Sequence, residues 1–191
     1  MCKLTGKEIK KLILILLTNI FITASAIAQK YYTKNGNISF FSKTNIENIV
    51  SDNNQVMSVL NTQNGDLQFS LLIKNFHFKK SLMEEHFNEN YLESDKYPKA
   101  TFKGNIVDMS KVNFTADGSY KVMIAGDLTI HGITQKISTP ATITIKAEKI
   151  TATSGFIVKP TSYNISIPKV VRNNIAETIE VSVNCNYDHK M

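Results

Sequence analysis

From residue 29 onward the chain alternates apolar and polar positions with period two, the pattern of strands that have one dry face and one wet face. In Asp66 to Ile73 the dry set is Leu67, Phe69, Leu71 and Ile73, opposed by Gln68 and Ser70. Between Tyr120 and Ile130 it is Tyr120, Val122, Ile124, Leu128 and Ile130, opposed by Lys121, Asp127 and Thr129. Lys136 to Ala147 sets Ile137, Ala141, Ile143, Ile145 and Ala147 against Lys136, Ser138, Thr142, Thr144 and Lys146. Near the end, Ile179, Val181, Val183, Cys185 and Tyr187 alternate with Thr178, Glu180, Ser182, Asn184 and Asn186. Shorter strands are predicted at Asn37 to Phe41, Gln55 to Asn61, Ala100 to Val107, Val112 to Thr115, Lys149 to Val158 and Tyr163 to Ile167.

Asn64-Gly65, Asp117-Gly118 and His131-Gly132 each precede a new strand and carry turn chemistry. Strands this numerous and closely spaced predict an all-β sandwich or barrel. A barrel of about eight antiparallel strands is preferred, because closure removes the edges that long alternating strands would expose. One segment breaks the period: Ser81 to Tyr91 places Leu82, Met83, His86, Phe87 and Tyr91 at helical spacing, with Glu84, Glu85 and Glu89 opposite. It reads as a short amphipathic helix, capped by Ser81 and lying across one end of the barrel.

The first 28 residues follow a different logic. Lys3, Lys7, Lys10 and Lys11 precede the apolar run Leu12 to Ile22, and Ala26-Ile27-Ala28 supplies a small-x-small cleavage pattern, so residues 1–28 read as a cleaved secretory signal and Gln29 as the mature start. The alternative, an uncleaved membrane anchor, needs about 20 apolar residues, and this run is near half that. Cys2 precedes the charges instead of following the apolar run, which does not fit a lipid-modified cysteine, and it leaves with the signal. The reading places one domain, residues 29–191, in the periplasm or outside the cell, with no stable membrane span in the mature chain.

Export also changes the charge. The formal charge of +6 falls to +3 without the four lysines and one glutamate of residues 1–28, and Arg172 is the sole arginine. That is no clustered basic footprint, so nucleic acid is excluded as a partner. Cys185 becomes the only cysteine, which leaves no intrachain disulfide, and its place on a dry strand face predicts an inert, packed thiol.

Catalytic and metal chemistry finds little support. His77, His86, His131 and His189 lack metal-ligand spacing and read as solvent-exposed or capping imidazoles, although His77 and His86 could converge at the helix end. There is no Gly-x-Ser-x-Gly elbow and no Gly-rich phosphate loop. The chain is therefore expected not to be an enzyme and to need no cofactor or metal. Were it an enzyme acting on an apolar substrate, His77, His86 and Glu85 would be the residues to carry it.

The informative constellation is the inward-facing set, since a barrel of about eight strands is just wide enough to be filled by side chains or to hold one small ligand. Two interiors fit the alternation, a dry core and a hollow one. The segments HFNENYLESDKYPKATFKG (His86 to Gly104), YKVMIAGDLTIHGITQKI (Tyr120 to Ile137) and FIVKPTSYNISIPKVVRNNIAETIEVSVNCNY (Phe156 to Tyr187) resemble the YceI-like family of periplasmic polyisoprenoid-binding proteins. The likeness is weakest over Gln29 to Asn64.

The resemblance implies a lipocalin-like, extended antiparallel barrel with an apolar tunnel, holding a polyisoprenoid, quinone or similar amphiphile with its head near the mouth, and a homodimer. It makes Asp127 to Gly132 a strand end and tight turn, with Gly126 and Gly132 allowing close backbone approach or positive φ and His131 capping the turn. Strand parity and helix face then nominate the lining: Phe69, Leu71, Ile73, Phe78, Met83, Phe87, Phe102, Ile106, Val122, Ile124, Leu128, Ile143, Phe156, Val181 and Val183. The expected function is lipid binding for storage, transport or sensing in the envelope; the alternative is a non-enzymatic envelope structural or interaction protein with a filled barrel.

Overall fold

The computed structural model describes residues 29–191. The signal segment 1–28, Cys2 included, lies outside the described residues. Eight long strands follow in chain order: β1 (Lys30–Lys43), β2 (Asn48–Asn61), β3 (Asp66–Leu72), β5 (Lys99–Ile106), β6 (Gly118–Ile130), β7 (Ile133–Lys146), β8 (Lys149–Val158) and β9 (Ile179–Tyr187). Two-residue strands, β4 (His77–Phe78) and β10 (His189–Lys190), pair with β2 and β1. Each long strand pairs antiparallel with the next, and β9 returns to β1, which also pairs with β2, so the sheet closes into a barrel. Among the described residues no long edge stays open, and residues 29–191 form a closed barrel around one core.

Local chemistry explains the closure. His131 (φ 50°) and Gly132 (φ 73°) both adopt left-handed backbone, the geometry of a tight two-residue hairpin turn between β6 and β7. Gly104 of β5 faces Gly126 of β6, and a Cβ on Gly126 would run into the Lys103 carbonyl and the Gly104 Cα. The two glycines let the backbones approach beneath the Phe102 ring, whose Cζ would sit 2.8 Å from that Cβ. β1 and β2 pair over nearly their whole lengths, with register shifts around Gly36 that change which residues face inward.

The barrel has two unlike ends. At the end where β1 begins and β9 finishes, Leu60, Leu67, Ile106, Ile143, Ile145 and Ile150 are almost fully buried, and Ser58 and Tyr187 share a buried hydrogen bond of 2.7 Å. At the other end the chain leaves the sheet for two long excursions, 73–98 and 159–178. The first holds helix α1 (Ser81–His86), which widens without a break into a π-helical turn, Phe87–Tyr91. The second contains two short 3-10 turns, Pro160–Tyr163 and Lys169–Val171.

Three local expectations are corrected. Val112 to Thr115 is not a strand: the side chains of Asp108 and Asn113 accept hydrogen bonds from the Ser110 and Thr115 amides, at 3.0 Å each, and curl the segment. Val112 still packs into the core, which is why its spacing read as strand-like. Tyr163 to Ile167 is not a strand either, because Pro160 starts a 3-10 turn and Asn164 (φ 56°) is left-handed, although Tyr163 and Ile165 are buried as the alternation requires. Ser81 does not cap α1: Lys80 occupies the cap position without a side-chain bond, and the Glu84 carboxylate instead reaches back to accept the Phe78 amide at 3.1 Å.

Candidate functional site

The end bearing both excursions encloses a cavity of about 330 Å³. Its walls are Ile38 and Phe40 of β1, Leu71 of β3, Ala100 of β5, Leu128 and Ile130 of β6, Phe156 and Val158 of β8, and Ile179 and Val181 of β9. The excursion around α1 roofs it with Phe76, Phe78, Met83, His86, Phe87, Tyr91 and Leu92. The 159–178 excursion closes the side with Pro160, Ile165, Ile167, Val171, Asn174 and Ile175. Ser42, Glu47, His86 and Asn174 are the polar lining residues apart from the Tyr91 phenol, and the rest is apolar.

An aromatic cluster stiffens the roof. Phe40, Phe76, Phe78 and Phe87 sit with ring centroids 5.1–5.7 Å apart in tilted, edge and stacked pairs. Such pairs hold their geometry at about 0.5–1.5 kcal/mol each beyond area burial. The wide turn matters here: the Leu92 amide bonds the Phe87 carbonyl at 2.9 Å, and the register of that turn brings Phe87, Tyr91 and Leu92 all to the cavity wall.

A polar latch crosses the rim. Lys80 Nζ donates to Glu47 Oε1 at 2.8 Å, Asn174 Nδ2 donates to Glu47 Oε2 at 3.4 Å, and the Ala176 amide donates to Ser42 Oγ at 2.9 Å. These bonds tie the β1–β2 hairpin to both excursions. The Lys80 and Asn174 hydrogen bonds, with the lysine charge, hold the Glu47 carboxyl below its ordinary value.

The sequence-nominated lining divides by height in the barrel. Leu71, Ile73, Phe78, Met83, Phe87, Leu128, Phe156 and Val181 lie on the cavity wall. Phe69, Phe102, Ile106, Val122, Ile124, Ile143 and Val183 do not; they pack into the core beyond it. Phe69 and Phe102 meet edge to face at 6.1 Å on the rung where Leu128 pairs with Phe102, which marks the boundary between hollow and filled halves. Strand parity alone would have added Ala100, Ile130, Val158 and Ile179, each on the face of a residue already nominated. Along the irregular 159–178 wall the alternation of Tyr163 to Ile167 reaches Ile165 and Ile167, and no periodic signal marks Pro160, Val171, Asn174 or Ile175.

The histidines depart from their reading as exposed or capping groups at one position. His131 is buried, with Nε2 2.6 Å from Glu93 Oε2 and Nδ1 3.1 Å from the Tyr163 carbonyl, and its ring meets Tyr97 edge to face. It pins the β6–β7 turn to both excursions and so braces the cavity end. His77 lies 3.8 Å from Glu84, while Glu85 is exposed and bonds neither His77 nor His86. Among the described residues no group of three or more His, Cys, Asp or Glu side chains is placed to hold a metal ion. Cys185 is fully buried, and desolvation pushes its thiol up to about 12. No described helix is long and apolar enough to cross a membrane.

The family model described as YceI-like domain matches residues 27–187, and so spans Gln29 to Asn64 as well. No curated protein matches the sequence. Among solved structures, a polyisoprenoid binding domain from Saccharophagus degradans implicated in plant cell wall breakdown is similar at 16% identity and TM-score 0.71, covering 84% of this chain and 97% of its own. Burkholderia cenocepacia BcnA is similar at 16% identity and TM-score 0.67, covering 79% and 95%. A Campylobacter jejuni YceI protein is similar at 16% identity and TM-score 0.58, covering 74% and 85%. At these identities the likeness is one of fold.

Proposed function

This chain belongs to the YceI-like domain family, and on that footing we propose that its cavity binds the apolar chain of an isoprenoid amphiphile, a polyisoprenoid or prenylated quinone, as a carrier or reservoir in the cell envelope. The observation that carries the reading is the cavity wall, apolar apart from Ser42, Glu47, His86, Asn174 and the Tyr91 phenol, and roofed by Phe76, Phe78 and Phe87. A barrel filled to both ends, the interaction-protein alternative, would leave no such space. Covering about 200 Å² of prenyl surface stabilises the complex by roughly 5 kcal/mol at about 25 cal/mol per Å², with no need for polar recognition. Of the ionisable groups on the wall, Glu47 is held by Lys80 and Asn174 and shares no hydrogen bond with His86, which supports binding over catalysis. The S. degradans polyisoprenoid binding domain, alike in fold, adds to the case.

The volume refines the proposal. About 330 Å³ is at the small end of ligand pockets, which run from roughly 300 to 1,000 Å³. The cavity therefore takes one segment of a long prenyl chain, and the remainder, with the headgroup, emerges at the rim beside Glu47, His86 and Asn174. Native mass spectrometry of the protein isolated from its own type of envelope, with lipid identification in the organic extract, tests this. A stoichiometric isoprenoid or quinone supports it; an empty protein that also takes up no prenyl probe overturns it.

A further inference from the structure

We infer that the cavity mouth is a docking surface for an anionic lipid bilayer. Three segments meet there, joined by the Lys80–Glu47, Asn174–Glu47 and Ala176–Ser42 bonds, and each raises an exposed apolar side chain: Ile46 in the β1–β2 turn (65% exposed), Leu82 on α1 (59%) and Val170 in the second excursion (89%). Three apolar tips in water around the opening of an apolar cavity are not required by the core, since the side chains next to them, Met83 and Val171, already line it.

Each tip is flanked by cations from its own segment. Lys43 lies beside Ile46, Lys79 and Lys80 precede Leu82, and Lys169 and Arg172 bracket Val170. On the acidic side, Glu47 is engaged by Lys80 and Glu84 by the Phe78 amide, while Glu85, Glu89 and Glu177 are exposed. The rim thus sets its apolar tips beside Lys43, Lys79, Lys169 and Arg172, none of which is in an ion pair with a described carboxylate. That is the chemistry of an interfacial site, in which apolar tips enter the headgroup boundary and lysines and arginine meet lipid phosphates. Docked this way, the mouth faces the acyl region, and a prenyl chain passes between bilayer and cavity without crossing water.

The inference extends the lipid-cavity reading to the route of exchange, and flotation reads it separately from binding. The 29–191 barrel is floated with vesicles of phosphatidylcholine containing about 30% phosphatidylglycerol, and with phosphatidylcholine alone; exposed surface charges attract over about a Debye length and are screened by salt. Expected are co-flotation with the anionic vesicles, release at high salt, and a loss of at least about fivefold in K79Q/K169Q/R172Q and in L82S/V170S, with Val107→Ser at the opposite end unchanged. All substituted positions are exposed, and the charge-only variant tests the rim even should the apolar one fail to fold. A wild-type protein that stays unbound, or rim variants that float as it does, overturns the docking surface. So does a rim that ignores vesicles but whose substitution dissociates a dimer in sedimentation, which makes it an interface between copies. Uptake of a prenyl probe from solution by a protein that does not float leaves the cavity reading standing and removes only the docking; flotation without uptake does the reverse.

Discussion

Filling the cavity from within separates a binding site from an accidental void. Ala100 of β5 is the smallest side chain on the wall, paired across the ladder with Leu71 and facing the space that Leu128 and Ile130 also border. In Ala100→Phe the new ring projects into the cavity. Removing a phenylalanine side chain from water contributes about 1.5–3 kcal/mol, and crowding in a partly filled site returns about 1–3 kcal/mol of that. The net for the empty protein runs from a loss of about 1.5 to a gain of about 2 kcal/mol, a melting temperature from about 6 °C below to about 8 °C above wild type. For the ligand the ring takes away about 100 Å² of contact, which at about 25 cal/mol per Å² is about 2.5 kcal/mol, or roughly 60-fold in Kd. Titration with a fluorescent prenyl probe and scanning calorimetry read the two quantities, with Met123→Phe on the outer face as control. A Kd within about twofold of wild type in a folded variant would place the ligand elsewhere and refute the reasoning. A melting point lowered by more than about 6 °C would show instead that the space is already occupied by protein.

Four further outcomes follow from the geometry. Gly126→Ala drives a Cβ into the Lys103 carbonyl and the facing Gly104, and is expected to cost about 3 kcal/mol or more in urea unfolding; a loss below about 1 kcal/mol would mean that β5 and β6 can separate there. His131→Ala strips both ring bonds from a buried site and should lower stability by about 2 kcal/mol, with an unchanged urea midpoint counting against its role as a brace. Because burial raises the Cys185 thiol from 9.0 to about 12, its share of stability is complete below pH 9 and declines as pH rises toward 12; the native protein should also resist thiol reagents at pH 8, and rapid native labelling would contradict the packing of β9. The Glu47 carboxyl, lowered by Lys80 and Asn174, keeps the rim latch intact as pH falls until below 4.5, so its NMR titration midpoint should lie under 4.5 in wild type and move up toward it in Lys80→Ala; equal midpoints would remove the latch.

Much of the barrel could be read before any coordinates. The alternation in Lys149 to Val158 and Ile179 to Tyr187 matches β8 and β9 residue for residue, and that around Tyr120 to Ala147 finds the β6–β7 hairpin within a few positions. The reading succeeded there because both faces are sharply distinguished, one wet and one dry. It shortened β1 and β2, where bulges near Gly36 switch parity and polar side chains such as Thr33, Ser51 and Asn53 point inward. Asn53 is satisfied inside by the Leu72 carbonyl and the Gln55 amide, a tertiary arrangement that no local pattern announces. For the site, parity told inside from outside and could not tell height: Phe102 and Ala100 share a face of β5, yet one packs the core and the other borders the cavity.

That division by height explains how a hollow barrel stays folded. An empty space forfeits the dispersion contacts its lining would otherwise make, so a cavity must be offset by close packing elsewhere. Here the offset lies along the same strands. β5 carries Ile106 at 1% exposure toward the filled end and Ala100 at the open one, and β3 runs from Leu67 at 1% to Leu71 at the wall. The strands also cross from one regime to the other at the Phe69–Phe102 contact, where two rings block further entry. Truncation beyond that rung, at Ile106 or Ile143, should act first on stability, because those side chains touch only the core. Truncation above it, at Leu71 or Val181, should act first on ligand affinity, because the space there is already open. Shortening the boundary rings themselves would do both, deepening the cavity at the expense of the core, and so would lengthen the chain that the barrel accepts while lowering the temperature at which it melts.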